Sequence, residues 1–193
     1  MDQQTQVQVK AEIDPGGTAA LVMRAQDGDE EAISRLITVH KGLIFTIVIR
    51  MVANRDLAAD LTQDTFVRAF RKIKDLRTPA QFRPWLCTIA RRIVLDHFRS
   101  EKRKPTVSLE TVADIATAAD LAAIRKRKII QEALLLLPER DRMLLILAYY
   151  QGYSHREIGS AMKIPEANVR VYVQRARDRL RGLLKGREHE LLS

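Results

Sequence analysis

The sequence is poor in the residues that cross-link or interrupt a chain. Its 193 residues include one cysteine, six prolines and eight glycines, and aromatic residues make up 5%. Because a disulfide needs two thiols, Cys87 alone excludes an internal disulfide. Its place in the apolar-rich segment from Trp85 predicts a buried structural thiol. No stretch sustains the alternation of apolar and polar residues that predicts a strand, so we expect an all-helical protein.

Segments that direct a chain into a membrane are also missing. Residues 1–10 are polar and lack the basic segment and apolar core of a secretory signal. The longest apolar run, from Leu43 to Ala53, is interrupted by Arg50 and is too short to cross a bilayer. These absences predict a soluble, cytoplasmic protein.

Signatures of catalysis and metal binding are absent as well. The four histidines, His40, His97, His155 and His189, are scattered, and no two of them have the spacing of metal ligands. No glycine-rich phosphate loop occurs. Each histidine is therefore interpreted as a core or surface residue, and we expect no catalytic residue, no metal and no cofactor.

Positive charge is what the chain has in excess. Its formal net charge is +9 and its isoelectric point is near 10.0. Lysines and arginines displace condensed counterions from a nucleic acid backbone, so this charge predicts a polyanionic partner. The hydrophobic content of 46% is enough for one medium domain or two small helical ones.

Turn-forming residues and a loss of periodicity divide the chain. Gly28 and Asn54 are predicted to end the first two helices, and Asp29 and Asp56 to cap the helices that follow. Apolar periodicity fades around Pro105, which predicts a linker. The predicted organisation is a disordered N-terminus (1–17), a helical domain (18–104), a flexible linker (105–119), a second helical domain (120–186) and a C-terminal tail (187–193).

The segment from Asp56 to Phe70 predicts a helix with two different sides. Its apolar residues recur at helical spacing: Leu57, Leu61, Thr65, Phe66 and Phe70. The opposite side holds acids and amides together with one arginine: Asp60, Gln63, Asp64 and Arg68. Such a side can bind the arginines of a partner protein.

The segment that begins at Trp85 combines an apolar stripe with arginines. The stripe consists of Trp85, Ile89, Ile93 and Leu95, and the arginines that project elsewhere are Arg83, Arg91, Arg92 and Arg99. This layout suits phosphates, with aromatic rings nearby for unstacked bases. An ordinary amphipathic hairpin with solvated charges is the alternative for this segment and for the preceding one.

The segment after Pro138 predicts a helix-turn-helix. Ser154 and Glu157 have the spacing of a capping box, and Gly159 allows two helices to cross closely. Lys163 stands at the turn position often held by glycine. The longer helix from Glu166 directs outward the donors that can reach base edges in a major groove, namely Arg170, Gln174, Arg175 and Arg177. A generic helical hairpin is the alternative.

Together, these segments resemble the extracytoplasmic function branch of the sigma-70 family, which are small bacterial initiation factors made of two helical domains. The run DLTQDTF from Asp60 to Phe66 is similar to the family's polymerase-docking signature. The segment from Trp85 to Asp96 is similar to its promoter-melting segment. The segment from Leu137 to Leu180 resembles the domain that binds the minus-35 element. The resemblance implies a sigma2-like helical bundle and a sigma4-like helix-turn-helix.

The resemblance also implies contact residues. Polymerase contacts would come from Asp60, Leu61, Gln63, Asp64 and Phe66. Contacts to the minus-10 element would come from Arg77, Gln81, Phe82, Arg83, Trp85, Arg91, Arg92 and Arg99, with the turn at 77–83 holding a flipped base. Contacts to the minus-35 element would come from Ser154, Arg170, Val171, Gln174, Arg175 and Arg177. The sequence departs from relatives at Arg92, where they carry an asparagine.

The partners follow from the same resemblance. The chain would be an alternative sigma factor that binds core RNA polymerase, through its β′ clamp helices and β flap, and promoter DNA. It would respond to an extracytoplasmic stress, and a membrane-anchored anti-sigma factor would hold it inactive at the inner membrane. The alternatives are a stand-alone helix-turn-helix regulator, which would normally dimerise, and a basic helical RNA-binding protein.

Overall fold

A computed structural model describes residues 15–101 and 118–185. The α-helices of these ranges are α1 (Pro15–Gln26), α2 (Glu30–Val52), α3 (Arg55–Arg71), α4 (Phe82–Glu101), α5 (Ala118–Leu136), α6 (Glu139–Leu145), α7 (His155–Met162) and α8 (Glu166–Leu184). Short 3₁₀ turns at Ile73–Asp75 and Pro79–Gln81 connect α3 to α4, and a π turn at Ile146–Tyr150 extends α6. No strand occurs within these ranges, so the expected all-α fold is confirmed.

Side-chain caps determine where α2 and α3 of the first domain begin. As predicted, Asp29 caps α2, and its carboxylate accepts a hydrogen bond from the Ala32 N–H at 3.1 Å. The predicted cap at Asp56 is wrong, because the Asn54 side chain caps α3 by accepting from the Leu57 N–H at 2.9 Å. Asp56 lies instead in the first turn, where its charge complements the helix dipole.

Helix α2 is the central helix of the first domain. Its mean hydropathy of 1.6 over an 18-residue window, together with its length, would suffice for a membrane span. The sequence-based expectation, which considered only the run from Leu43 to Ala53, underestimated this helix. In the structure, Leu36, Ile44 and Ile47 are fully buried, and α2 packs against α1, α3 and α4. It therefore forms the core of the described bundle.

The second domain contains the predicted helix-turn-helix. The Glu157 N–H donates to Ser154 Oγ at 3.3 Å, and the Ser154 N–H donates to the Glu157 carboxylate at 2.9 Å, which completes the capping box of α7. Lys163 joins α7 to α8 in the left-handed conformation, with φ 54°. A Cβ at Gly159 would lie 2.9 Å from the Ile164 carbonyl oxygen, so this close crossing requires glycine.

The two domains share one hydrophobic core. Buried side chains of both domains form a single cluster, which extends over α1 to α4 and over α6 to α8. Helix α4 of the first domain packs directly against α7 of the second. Residues 1–14, most of the predicted linker (105–119) and the whole predicted tail (187–193) lie outside the described residues. The sequence predicted two helical domains, and their close packing is a finding of the tertiary structure.

Candidate functional site

The exposed side of α3 carries the predicted acids and amide. Asp60, Gln63 and Asp64 are exposed and lie within about one helical turn of each other. Among the described residues, neither carboxylate has an ion-pair partner, so both can meet an incoming cation. The same side includes Asp56 and Val67, which sequence reasoning missed, and Val67 is 43% exposed. We call these five residues the acidic face.

Two predicted polymerase contacts lie in the core instead. Leu61 is 7% exposed and Phe66 is 5% exposed. The Phe66 ring also stacks on Phe70, with 6.1 Å between ring centroids. A helix that presents Asp60 and Asp64 outward must turn residues at 61 and 66 inward. In the structure these two residues hold α3 in position, and their contact with polymerase stays a prediction.

A basic cleft opens between the first domain and α7. Its volume is about 540 Å³, and it contains four predicted minus-10 residues: Arg77, Gln81, Trp85 and Arg92. Its cationic lining also includes three residues that were not predicted for DNA: Arg68, Lys72 and Lys163. Asp75 is the acid in this lining. Such a surface suits a single nucleic acid strand, because cations neutralise phosphates while an aromatic ring stacks on a base.

Arg68 shows why the sequence assignment of the cleft was incomplete. The sequence grouped Arg68 with the acids on α3, whereas the structure turns it toward the cleft, 3.9 Å from Asp96 of α4. Lys72 follows it by four residues, and this spacing was the available signal that both share one side. The turn that brings α7 and Lys163 across the cleft depends on tertiary packing.

Two other predicted minus-10 residues are engaged elsewhere. Phe82 is 0% exposed, with its ring centroid 5.2 Å from that of His40, so it packs in the core, and its contact with DNA stays a prediction. Arg83 is directed at the second domain. It donates to the Gln151 carbonyl oxygen at 2.9 Å, and its guanidinium carbon lies 4.1 Å from the centroid of the Tyr153 ring.

Arg91 and Arg99 also lie outside the basic cleft. Arg91 lines a smaller cleft beside Arg140. Burial lowers the pKa of Arg91, and the positive charges of Arg92, Arg140 and Arg99 lower it further. Arg99 is exposed and donates to Asp96 at 3.2 Å. Consecutive residues on a helix point about 100° apart, so the neighbours Arg91 and Arg92 serve different surfaces.

Helix α8 exposes the predicted base-reading residues. Arg170, Val171, Gln174, Arg175 and Arg177 are all exposed. The Gln174 amide donates to the Asp178 carboxylate at 3.1 Å, and its oxygen accepts from Arg177 at 2.6 Å. Gln174 can hydrogen-bond a base edge only by exchanging these bonds. Ser154 is exposed, and its hydroxyl donates to Glu157 at 2.8 Å, so this group caps α7.

Polar side chains join α4 to the second domain. The Tyr153 hydroxyl and Cys87 Sγ form a hydrogen bond of 2.8 Å. Burial raises the pKa of the Cys87 thiol to about 12, so the thiol is protonated at neutral pH, consistent with the predicted structural role. The Thr88 hydroxyl donates to the Ala161 carbonyl oxygen at 3.2 Å.

A second group of polar contacts joins α2 to the second domain. Arg50 donates to the Gln131 side chain, which donates back to the Arg50 carbonyl oxygen, each at 3.1 Å. Arg142 donates to the Met51 carbonyl oxygen at 2.6 Å. With the α4 contacts, these define an interdomain seam, formed by Arg50, Met51, Arg83, Cys87 and Thr88 of the first domain and by Gln131, Arg142, Gln151, Tyr153 and Ala161 of the second.

His40 is fully buried near this seam. Neither ring nitrogen has a hydrogen-bond partner among the described residues. Burial lowers the pKa of His40 to about 4, with a further contribution from the charge of Arg83, so the ring is neutral at pH 7. Within the described ranges, no three His, Cys, Asp or Glu side chains lie together in a way that could hold a metal ion.

Both domains are similar to domains of known proteins. Residues 36–104 match the model of sigma-70 region 2, and residues 127–180 match the model of sigma-70 region 4. The chain is 28% identical over 179 residues to the ECF RNA polymerase sigma factor SigW of Bacillus subtilis. This match covers 85% of the chain and 95% of SigW.

Two solved structures share the fold. The sigma factor RpoE of Bartonella quintana, in complex with the anti-sigma factor NepR, has a TM-score of 0.63 and 25% identity, over 79% of this chain and 96% of RpoE. CnrH, in complex with the cytosolic domain of CnrY, has a TM-score of 0.67 and 24% identity, over 89% of this chain and 99% of CnrH. Because both domains match family models in the expected order, the chain belongs to the extracytoplasmic function branch of the sigma-70 family.

Proposed function

We propose that this chain is an alternative sigma factor that binds core RNA polymerase, directs it to specific promoters and promotes DNA melting. The observation that carries this proposal is the presence of three distinct surfaces on one chain: the acidic face, the basic cleft and the exposed side of α8. Each suits a different part of the initiation complex. Sigma factors are initiation factors rather than enzymes, so the polymerase supplies the chemistry.

The acidic face is the proposed polymerase-binding surface. Its carboxylates at Asp60 and Asp64 are exposed and lack ion-pair partners among the described residues. Complementary charges accelerate encounter and disfavour wrong partners, and Val67 adds apolar area that binding can bury. We infer that this face binds the β′ clamp helices. Binding of the second domain to the β flap is a further part of the proposal.

The basic cleft is the proposed site for the melted minus-10 strand. Extruding one base costs a few kcal/mol. Stacking of a base on an aromatic ring contributes about 1–3 kcal/mol, which Trp85 can supply. The remaining cost must be offset by phosphate contacts, for which the cleft offers Arg68, Lys72, Arg77 and Arg92 on the first domain. Trp85 and these cations are therefore the proposed melting residues.

Helix α8 is the proposed reader of the minus-35 element. Arg170, Gln174 and Arg175 project from its exposed side, and such donors pair with guanine and adenine edges in the major groove. The capping box of Ser154 and Glu157 fixes the start of α7, which supports α8 in the motif. Arg177 is tied to Gln174, and we infer that it orients the Gln174 amide.

An anti-sigma factor is a proposed partner. The similar RpoE structure contains the anti-sigma factor NepR, which supports regulation of this kind. Anchoring of that partner in the membrane and release by an extracytoplasmic stress belong to the same proposal. The site of action is the cytoplasm, where promoter DNA and polymerase meet.

The proposal is tested by reversing charge on the acidic face. The variant Asp60→Lys/Asp64→Lys should lose binding to core RNA polymerase and should give no promoter-specific transcripts when 5′ ends are sequenced. The matched control is Asp27→Lys/Glu30→Lys, which changes the net charge equally at two exposed acids outside the acidic face. Circular dichroism verifies that both variants are folded.

Three results would contradict this proposal. The first is undiminished polymerase binding by Asp60→Lys/Asp64→Lys. The second is an equal loss of polymerase binding in the Asp27→Lys/Glu30→Lys control, which would show that the effect comes from net charge alone. The third is specific, high-affinity binding of intact promoter duplex by the isolated wild-type chain with no effect on polymerase, which would indicate a stand-alone regulator.

A further inference from the structure

We infer that Gln26, the last residue of α1, is a positioning residue for base recognition in the basic cleft. It holds the connection between α3 and α4 in the shape that presents its side chains to the cleft. We call this connection, residues 72–81, the cleft turn. The inference rests on the proposed function, because the base concerned is the one that the basic cleft would hold.

Gln26 uses both hydrogens of its side-chain amide on the cleft turn. Its Nε2 donates to the Ile73 carbonyl oxygen at 2.9 Å and to the Leu76 carbonyl oxygen at 2.8 Å. Both bonds are partly buried, and they join positions 47 and 50 residues apart in the chain. A glutamine amide has two N–H donors, so its donor capacity is fully used. Gln26 therefore ties α1 to the cleft turn at two points.

These bonds hold the backbone directly before the residues that face the cleft. The side chains of Ile73 and Leu76 are buried, whereas Arg77 and Thr78, which follow, are exposed. In a trans peptide unit the C=O and N–H groups point in opposite directions. Holding the Leu76 oxygen toward α1 therefore turns the Arg77 N–H away from α1. The cleft turn lines the basic cleft with Lys72, Asp75, Leu76, Arg77, Thr78 and Gln81.

The internal hydrogen bonds of the cleft turn do not fix its overall shape. In its first half, the Leu76 N–H donates to the Ile73 carbonyl oxygen at 3.1 Å. In its second half, the Gln81 N–H donates to the Thr78 carbonyl oxygen at 2.8 Å. Each bond stays within one half, so neither sets the angle between the halves at Arg77. Gln26 supplies this restraint, because it binds the turn at Leu76, the residue before that joint.

Helix α1 is a firm support for Gln26. Val22 and Ala25 anchor it in the core, at 0% and 3% exposure. Arg24 donates to the Asp29 carboxylate at 2.7 Å, and the same carboxylate caps α2. Helix α1 also packs against both 3₁₀ turns. A residue on an element that is itself fixed can hold a binding site precisely.

Loss of the Gln26 bonds should weaken base discrimination selectively. Two neutral hydrogen bonds correspond to roughly a tenfold change in an equilibrium constant. The acidic face and the base-reading side of α8 lie on other elements, so binding to core polymerase and to the minus-35 element should not change. Gln26 also lies outside residues 36–104, which match the model of sigma-70 region 2. The restraint thus comes from a segment that this match does not include.

The test compares Gln26→Glu and Gln26→Met with the wild type, each assembled with core RNA polymerase. Glutamate keeps the shape of glutamine, but its carboxylate has no donor and repels the two carbonyl oxygens. Methionine removes the donors without adding charge. The probe is a fluorescent single-stranded oligonucleotide carrying the minus-10 sequence that 5′-end sequencing identifies, with each base replaced in turn. Both variants should lose discrimination about tenfold at one position and keep it at the others.

The matched control is Ile44→Val, which removes one methylene from a fully buried residue of α2. Its cost in stability is similar in size to the loss of two hydrogen bonds, and the cleft turn keeps its bonds to Gln26. This variant should discriminate bases as the wild type does at every position. Base preference is therefore a readout that general destabilisation does not change. Circular dichroism verifies that all variants are folded.

The outcomes separate this inference from the proposed function. Wild-type discrimination in both Gln26 variants, uniform weakening at all positions, or an equal loss in Ile44→Val overturns the positioning role of Gln26 alone. A wild-type chain that binds core polymerase but discriminates no base of the minus-10 strand overturns the proposed role of the basic cleft and, with it, this inference.

Discussion

The close approach of α7 to the start of α8 predicts that Gly159→Ala destabilises the chain. Alanine is favoured over glycine in a helix by about 1 kcal/mol, so the intrinsic effect of this change is stabilising. At Gly159, however, the new Cβ would lie 2.9 Å from the Ile164 carbonyl oxygen, which is backbone and cannot rotate away. Overpacking of this kind costs about 1–3 kcal/mol. The two effects together predict a net destabilisation of up to about 2 kcal/mol.

The matched control is the same substitution at Gly42. This glycine lies in the interior of α2, is exposed, and a Cβ there would meet no atom within 4 Å. Gly42→Ala should therefore stabilise the chain by up to about 1 kcal/mol. Urea unfolding followed by circular dichroism measures both changes. If Gly159→Ala gains as much stability as Gly42→Ala, the argument that α7 and α8 require a glycine at their crossing is refuted.

Three further predictions concern single side chains. The lowered pKa of His40 means that the unfolded chain takes up a proton that the folded chain rejects, so stability is full above pH 6.5 and is lost as the pH falls toward 4. Between pH 7 and pH 5, the free energy of unfolding of the wild type, measured with urea, should fall by about 2 kcal/mol more than that of His40→Leu. An equal fall in both proteins would show that the His40 ring is not held neutral by burial. Arg175→Ala should cost about 1–3 kcal/mol of minus-35 binding and relax preference at one base, whereas uniform weakening across sequences would indicate a phosphate contact. Ser154→Ala should destabilise the chain by about 1 kcal/mol, and an unchanged midpoint in thermal melts would show that the capping box contributes nothing.

Local patterns predicted most of the helices and some of their ends. The Asp29 cap and the capping box of Ser154 and Glu157 were predicted correctly, because a capping side chain and the amide it binds lie within three residues. The Asp56 cap was wrong because Asn54, two residues earlier, offers an equally suitable acceptor. A pattern alone does not choose between neighbouring polar side chains.

The residues of the functional surfaces were predicted less completely than the helices. Exposure of Asp60, Gln63 and Asp64 follows from the 3.6-residue period of α3, as does the burial of Leu61 and Phe66, which family resemblance had assigned to contacts. A family motif assigns one role to a continuous run of residues. In a helix, some residues of that run face solvent and others face the core.

The sequence alone determined the all-α class, the two helical domains, the acidic side of α3 and the exposed arginines of α8. Each depends on interactions within a few residues, or on a period that can be read directly from the chain. Only the tertiary structure decided that α7 packs on α4, that Lys163 enters the cleft beside Arg68, and that Arg83 bonds to the second domain. Those contacts join residues 68 or more positions apart, and no local periodicity encodes which distant surfaces will meet.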